Sequence, residues 1–268
     1  MGQANEKLPS AGEALPGREG AISIADNHYV TGNPVAPPQD RDGTAALEHI
    51  VIGTGCFWGT EKGFWRMPGV SATSVGYCAG RTKNPTYKEV CSGQTGHNEV
   101  VRVIWDPEVV SLADILRQFW ESHDPTQGMG QGNDRGTQYR SGIYPTTDFQ
   151  KAIAEQSRAA YQAELDKAFG GSKKITTEIT DAGANKFYNA EDYHQQYLAK
   201  PGANNYCSAQ PLQVSLPPVS AWGSLVGVSN PPEGGLVNKL PEKYWEQYAP
   251  TPHCVLRQPN AQITLASL

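Results

Sequence analysis

A strand, a tight turn and a helix predicted over residues 49–65 place the strongest constraint on how this chain folds. The apolar run HIVI at residues 49–52 is typical of a buried strand, and the small residues of GTG follow it directly. In the next segment, FWGTEKGFW, the Phe-Trp pair recurs after seven residues, which returns it to the same helical face. The pattern therefore predicts a strand-to-helix turn with Cys56 at the N-terminus of the helix.

Strands and helices continue along residues 70–200, and several strands are adjacent in sequence. In NEVVRVIWD the side chains of Glu99, Val101, Val103 and Trp105 share one face of a strand. The predicted elements are strands over 70–77 and 98–106, a helix with Ser111 as N-cap, a strand at YRSGIYP, a helix over about 147–168, a strand at KITTEIT and a short helix at AEDYHQQYLAK. Adjacent strands favour an α+β fold over a doubly wound sheet.

Composition divides the chain into three parts. Residues 1–47 are rich in Gly, Pro, Asp and Asn, which predicts an irregular N-terminal arm. Residues 201–268 are dense in Pro, Gly and Ser, which predicts a coil-rich C-terminal tail with a short helix at PEKYWEQYA. The α+β domain is expected between them, over residues 48–200.

Charge and hydropathy exclude several classes of partner. The formal net charge is −5 and no basic run stands out, so we expect neither nucleic acid nor an anionic membrane surface as a partner. No stretch approaches the roughly 18–20 apolar residues of a membrane span. The first twenty residues lack the apolar centre of a signal peptide, and a cytoplasmic protein is therefore expected.

The sequence contains five cysteines, Cys56, Cys78, Cys91, Cys207 and Cys254, and no Cys-x-x-Cys pair. An odd, widely spread set is a poor disulfide framework, and without a His-x-x-x-His pair it predicts no metal site. Cys56 is a candidate nucleophile because backbone N–H groups and the dipole at a helix N-terminus stabilise a thiolate. The alternative is a buried, inert thiol. Cys78 and Cys91 are expected to be packing residues.

Glu99 is the candidate acid. If its side chain points into the apolar layer, desolvation raises its pKa and keeps it protonated as a proton donor. The alternative is a carboxylate that reaches water, because Glu99 stands at the start of its strand. The other candidates, which on their own fit structural roles, are Tyr87 and Tyr139 beside loops, Phe57 and Trp58 beside Cys56, and Asp134 in a glycine-rich loop.

Four sequence blocks together closely resemble the A-type peptide methionine sulfoxide reductase family. They occur in the expected order, within a match over about residues 48–210, and are GCFWG at 55–59, NPTYKEVCSGQTGHNEVV at 84–101, HDPTQGMGQGNDRGTQYRS at 123–141 and AEDYHQQYLAK at 190–200. The resemblance implies a two-layer, ferredoxin-like plait with a mixed sheet. It also implies that the enzyme binds no cofactor or metal.

The resemblance implies an enzyme that reduces methionine S-sulfoxide, free or in proteins, to methionine, and so serves protein repair and defence against oxidative stress. Cys56 would attack the sulfoxide sulfur and become a sulfenic acid. Glu99 would protonate the leaving oxygen, aided by hydrogen bonds from Tyr87 and Tyr139. The residues that the resemblance assigns to substrate binding are Phe57, Trp58 and Asp134.

The resemblance further implies that Cys207, in NNYCS, swings on a flexible tail to form a disulfide with Cys56. Thioredoxin, or dithiothreitol in vitro, would reduce that disulfide. Relatives with a third catalytic cysteine carry it a few residues later, where this chain reads PLQVSLPP. Either Cys207 alone passes electrons from thioredoxin, or Cys254 in the C-terminal extension takes the second role. We expect the two-cysteine scheme and a monomer.

Two other functions also use a cysteine at a helix N-terminus. A cysteine hydrolase or acyltransferase would form a thioester beside oxyanion donors, but the sequence offers no His–Asp or His–Asn partner in a recognisable motif. A non-catalytic redox sensor that keeps the fold is disfavoured by the complete set of candidate site residues. Assays with methionine sulfoxide and a dithiol separate these classes.

Overall fold

Three long strands lie side by side at the centre of the fold. The computed structural model describes residues 6–37, 47–181, 185–223 and 235–267. Its strands are β1 (Glu48–Thr54), β2 (Val70–Cys78), β3 (Asn98–Trp105), β4 (Gly130–Gln131), β5 (Asp134–Arg135), β6 (Ser141–Tyr144), β7 (Glu178–Ile179) and β8 (Tyr188–Asn189). β4 pairs with β5. The remaining strands form a mixed sheet of order β7-β6-β1-β3-β2-β8, in which β6 and β7 run parallel and the other neighbours antiparallel.

Side-chain caps determine where several helices begin. The helices are α1 (Phe57–Trp65), α2 (Tyr87–Cys91), α3 (Leu112–Glu121), α4 (Asp148–Phe169), α5 (Glu242–Tyr248) and α6 (Cys254–Arg257). α2 begins after Thr86 and α3 after Ser111, each in a capping box, so the predicted cap at Ser111 is confirmed. α4 begins after Thr147 and ends before Gly170, its C-cap residue, whose φ of 59° favours glycine.

The alternation along β3 divides its side chains between two faces, as predicted. Val101, Val103 and Trp105 belong to the main core cluster, which also contains residues of α1, α3 and α4. Val100 and Ile104 belong to two smaller clusters on the other face of the sheet. A mixed sheet with helices packed on it confirms the α+β class.

AEDYHQQYLAK does not form the short helix that its sequence predicts. It contains two 3₁₀ turns, Asp192–His194 and Tyr197–Ala199, and between them Gln196 has a left-handed φ of 46°. The backbone and side-chain N–H groups of Gln196 donate to the carboxylate of Glu61, a fully buried residue of α1, at 2.8 and 2.7 Å. This long-range contact overrides the local helix preference.

The N-terminal arm and the C-terminal tail both contact the domain. In the described part of the arm, residues 6–37, no helix or extended strand forms, and His28 Nε2 lies 2.9 Å from the Thr73 hydroxyl of β2. The described part of the tail is coil apart from α5, α6 and two 3₁₀ turns. Residues 1–5 and 38–46 of the predicted arm lie outside the described residues. The division of the chain at residues 47 and 200 stays a prediction.

None of the helices in the described ranges has both the length and the hydrophobicity that a membrane span needs.

Candidate active site

Cys56 lies in the turn between β1 and α1, where it is the N-cap residue of the helix. Gly55 makes this turn with a φ of 102°, and a Cβ atom there would lie 2.7 Å from Cβ of Gln131. Both facts exclude a larger residue at position 55. Cys56 is half-buried, and its sulfur accepts a hydrogen bond from the backbone N–H of Trp58 in the first turn of the helix.

Glu99 faces the same helix N-terminus from β3. It is 1% exposed, and the backbone N–H of Phe57 donates to its carboxyl at 3.2 Å. Burial raises the pKa of Glu99 to about 8, and the hydrogen bond from Phe57 only partly opposes this. The carboxyl is therefore protonated at neutral pH, as a general acid requires, and it does not reach water as the alternative interpretation supposed.

The expected resting thiolate at Cys56 is wrong. Desolvation and the neighbouring Glu99 raise the pKa of Cys56 well above its usual value, and these effects outweigh the hydrogen bond from Trp58. Asp134 and Cys207 contribute in the same direction. A helix N-terminus stabilises a thiolate only when competing burial and negative charge are weaker than its dipole. Cys56 is thus a neutral thiol beside a protonated carboxyl.

Tyr87 and Tyr139 lie close to this pair. Tyr87 is the first residue of α2, and Tyr139 ends a 3₁₀ turn before β6. Burial and then the charge of Glu99 raise the pKa of both phenols, so each remains a hydrogen-bond donor across the physiological pH range.

Cys91 is exposed and accepts a hydrogen bond from the Tyr87 hydroxyl, so its predicted packing role is wrong. Cys78 is fully buried, as expected.

The aromatic pair after Cys56 has one buried and one half-exposed member. Phe57 is 1% exposed, with its ring centroid 5.2 Å from that of His194. Trp58 is half-buried; its ring stacks on Tyr197 at 4.0 Å, and its indole N–H donates to Nδ1 of His194 at 3.0 Å. Phe57 therefore supports Trp58 from the core, while part of the Trp58 ring remains accessible.

Several residues of the site carry no role in the sequence-based interpretation. Burial lowers the pKa of His194 to about 4, which keeps its ring neutral beside Trp58. Glu191 accepts hydrogen bonds at 2.9 Å from the Tyr77 hydroxyl and from the backbone N–H of Tyr87. Both residues lie in the AEDYHQQYLAK block, and a helix prediction there gave no reason to place them beside Trp58 and Tyr87.

Asp134 fixes the segment that carries Cys207. Its carboxylate accepts hydrogen bonds from the hydroxyl of Tyr206, at 2.6 Å, and from that of Ser208. Cys207 lies between these donors, is 7% exposed, and lines a small cavity together with Cys56. Both cysteines are thiols. Cys207 is therefore packed beside α1, and not held away from it on a swinging tail.

The sulfur of Cys207 occupies the space that a side chain at Gly59 would fill. A Cβ atom at Gly59 would lie 2.9 Å from Sγ of Cys207, closer than such contacts occur. Residues three apart on a helix are neighbours, with Cβ atoms about 5–6 Å apart, so the Cys207 sulfur lies about one turn from Cys56. Of the remaining predicted residues, Cys254 begins α6, and its side chain lies outside the described part of the structure.

We expect Gly59→Ala to slow formation of a Cys56–Cys207 disulfide, because the added methyl displaces the sulfur of Cys207. Gly63→Ala is the matched control: its Cβ would meet the movable end of Gln118 at 3.2 Å. Gly63→Ala should raise the free energy of unfolding by about 0.5–1 kcal/mol through helix propensity and leave disulfide formation unchanged. Thiol titration over time measures both variants, and equal rates would contradict the placement of Cys207.

Among the described residues, no group of His, Cys, Asp and Glu side chains could hold a metal ion. The family model for peptide methionine sulfoxide reductase matches residues 48–216. The chain belongs to this family. The match includes the site residues from Cys56 to Cys207. Residues 217–268 extend beyond it.

Relatives of the peptide methionine sulfoxide reductase family cover most of the chain. Peptide methionine sulfoxide reductase MsrA 2 of Nostoc sp. is 56% identical over 210 residues, which is 78% of this chain and 90% of that protein. MsrA of Vibrio cholerae is 56% identical over 216 residues, 80% of this chain and 97% of that protein. Methionine sulfoxide reductase A of Corynebacterium diphtheriae has a similar structure, with a TM-score of 0.68, 41% identity, and coverage of 79% of this chain and 99% of that one.

Proposed function

We propose that this family member reduces methionine S-sulfoxide, free or in proteins, to methionine, and thereby serves protein repair and oxidative-stress defence. The observation that carries the proposal is the neutral Cys56 thiol at the N-terminus of α1 beside the buried carboxyl of Glu99, whose pKa is about 8. A nucleophile beside a proton donor suits attack on a polar S=O group. A hydrolase would need a base in place of that acid.

In the first step the Cys56 sulfur attacks the sulfoxide sulfur, and Glu99 donates its proton to the sulfoxide oxygen. The thiol proton of Cys56 passes to the Glu99 carboxylate. The attack joins the two sulfur atoms. The protonated oxygen then moves from the substrate sulfur to the Cys56 sulfur, so that the substrate S–O bond and the S–S bond both break, Cys56 becomes a sulfenic acid and methionine leaves. Cys56 is oxidised by two electrons, the substrate sulfur is reduced by two, and Glu99 regains its proton.

The neighbouring side chains suit the same substrate. The accessible part of the Trp58 ring, held by Tyr197 and His194, can contact the substrate's methyl group. The Tyr139 hydroxyl can donate to the sulfoxide oxygen as it gains charge, and the Tyr87 hydroxyl can do so after turning its proton away from Cys91. Asp134 supports the polar side through Tyr206 and Ser208. Phe57 contributes through its contact with His194.

The second step resolves the sulfenic acid. The thiol of Cys207 attacks the Cys56 sulfur, an S–S bond forms, and water leaves with the thiol proton. Thioredoxin, or dithiothreitol in vitro, then reduces the disulfide by thiol exchange and is itself oxidised. The shared cavity of the two cysteines supports this pairing. No bound cofactor is needed for either step.

The connectivity supports a ferredoxin-like plait with additions. The order β6-β1-β3-β2, with α1 between β1 and β2 and α3 between β3 and β6, follows the split βαβ pattern. In this arrangement the N-terminus of α1 and the start of β3 meet at one edge of the layer, where Cys56 and Glu99 lie. A cytoplasmic monomer that binds neither nucleic acid nor a membrane remains our proposal.

The test is incubation with each epimer of methionine sulfoxide, free and in a peptide, plus dithiothreitol, with methionine measured by chromatography. We expect methionine from the S epimer alone, and none above background from Cys56→Ser, because that variant lacks the attacking sulfur. Cys78→Ser, which changes a buried cysteine outside the site, serves as the control. No methionine from the unaltered chain, or equal use of both epimers, would overturn the proposal.

A further inference from the structure

The segment after the family-matched residues packs against the helix that carries Cys56. We call residues 235–267 the C-terminal extension. Its backbone carbonyls at Gln258 and Asn260 accept hydrogen bonds from the side chains of Lys62 and Trp65 of α1, each at 2.9 Å. Near its end, the backbone N–H of Ile263 donates to the carbonyl of Arg66 at 2.8 Å. The extension is thus attached to the C-terminal half of α1 and to the residue that follows it.

His253 connects this extension to Cys207. It lies between α5 and α6, and its Nδ1 is 2.7 Å from the backbone carbonyl oxygen of Cys207. A carbonyl only accepts, so Nδ1 carries the proton and donates. His253 has a left-handed φ of 57°, which directs the chain back onto α1. The next residue but one, Val255, has a methyl 3.7 Å from the position that a Gly59 Cβ would occupy.

These contacts lie around a cavity that the two cysteines share. Cys56, Gly59, Cys207, His253 and Val255 all line the same small cavity. The Cys207 segment is held by Asp134, which binds the residues before and after it, and by His253, which binds its carbonyl. Asp134 lies within the family-matched stretch, whereas His253 lies in the extension, where the matched family pattern assigns nothing.

We propose that His253 is a positioning residue for closure of the Cys56–Cys207 disulfide, an inference that rests on the proposed reductase function. His253 forms and breaks no bond in that step. Its imidazole restrains the Cys207 backbone so that the sulfur stays beside Gly59, one helical turn from Cys56. Restraining a reacting group near its partner raises its effective concentration. In this chain a hydrogen bond from the extension thus fixes the cysteine that resolves the sulfenic acid.

The test separates the effect of the His253 hydrogen bond from the effect of the left-handed backbone at residue 253. His253→Gly removes the imidazole while tolerating the left-handed φ, and His253→Asn restores an N–H donor in a residue that also tolerates it. One equivalent of S-sulfoxide is added without reductant. The amount of methionine released measures the first step. Dimedone reacts with the sulfenic acid in competition with disulfide closure, so the amount of dimedone adduct measures how slowly the disulfide closes. Lys239→Ala, in the same extension, is the control for surface changes.

We expect His253→Gly to release methionine at the normal rate, yet to close the disulfide about tenfold more slowly and trap more dimedone. Such a factor is typical of one lost hydrogen bond. His253→Asn should recover closure to within about twofold, and Lys239→Ala should behave like the unaltered chain. Normal closure in His253→Gly, or slow closure in both His253 variants, overturns the inference. No methionine from the unaltered chain would instead overturn the proposed function.

Discussion

Replacing Glu99 by Gln is expected to lower the rate of methionine release by about 10²–10⁴-fold, the range for loss of a general acid. Gln keeps the size of the side chain, and its amide oxygen can still accept a hydrogen bond from the Phe57 N–H. It cannot give a proton to the sulfoxide oxygen. Single-turnover release of methionine at neutral pH measures the effect. Glu191→Gln is a useful comparison because that carboxylate accepts hydrogen bonds from Tyr77 and Tyr87 and lies outside the proton path.

The pH profile gives the sharper form of this prediction. Glu99 has a pKa of about 8 and must be protonated to act, so the rate should fall as pH rises through about 8. In Glu99→Gln the rate should no longer fall as pH rises through about 8. A rate that instead rises with pH in the unaltered enzyme would mean that a resting Cys56 thiolate is the reactive form, which would contradict the proposed proton path.

The same carboxyl makes the fold less stable at alkaline pH. Glu99 holds its proton up to a pKa of about 8 in the folded state, against 4.5 as its usual value. The folded state therefore binds more protons between these values, so the free energy of unfolding falls as pH rises from 4.5 to 8. Glu99→Gln removes this penalty. It should be more stable than the unaltered chain above pH 8 by on the order of a few kcal/mol, measured by urea unfolding.

The parts of the fold that sequence predicts well are those set by local pattern. The strand–turn–helix unit around Cys56 and the helix cap at Ser111 appear where expected, because strand alternation and capping are encoded within a few residues. Glu99 is also placed correctly. Its position on the same face as Val101 follows from the strand period alone, and burial then fixes its protonation.

The parts that sequence misses depend on contacts between distant segments. The helix predicted over AEDYHQQYLAK is replaced by a left-handed turn at Gln196, because Glu61, 135 residues away, binds both of its N–H groups. The pKa of Cys56 is misjudged for a related reason: the helix N-terminus is local, whereas the burial that raises the pKa, and after it the carboxyl of Glu99 on β3, come from other segments of the chain. No period in the sequence indicates that His253 meets Cys207, 46 residues before it.

The second large effect is expected for Cys207→Ser. This variant should release about one methionine per enzyme at the normal rate, since Cys56 and Glu99 are unchanged, and then stop. Without the Cys207 thiol the sulfenic acid has no internal partner, so turnover driven by thioredoxin should fall by roughly 10²-fold or more. Methionine released per enzyme, with thioredoxin and its reductase present, measures the loss. Dimedone should label Cys56 in the stalled enzyme.

Cys254→Ser decides which scheme recycles the enzyme. If Cys207 alone receives electrons from thioredoxin, Cys254→Ser keeps full turnover, and Cys207→Ser is the variant that stalls. If Cys254 completes the relay, both variants lose thioredoxin-driven turnover, but Cys254→Ser still forms the Cys56–Cys207 disulfide after one methionine. Full thioredoxin-driven turnover in Cys207→Ser would contradict the resolving role of Cys207. A stalled Cys207→Ser with an active Cys254→Ser would support a two-cysteine reductase.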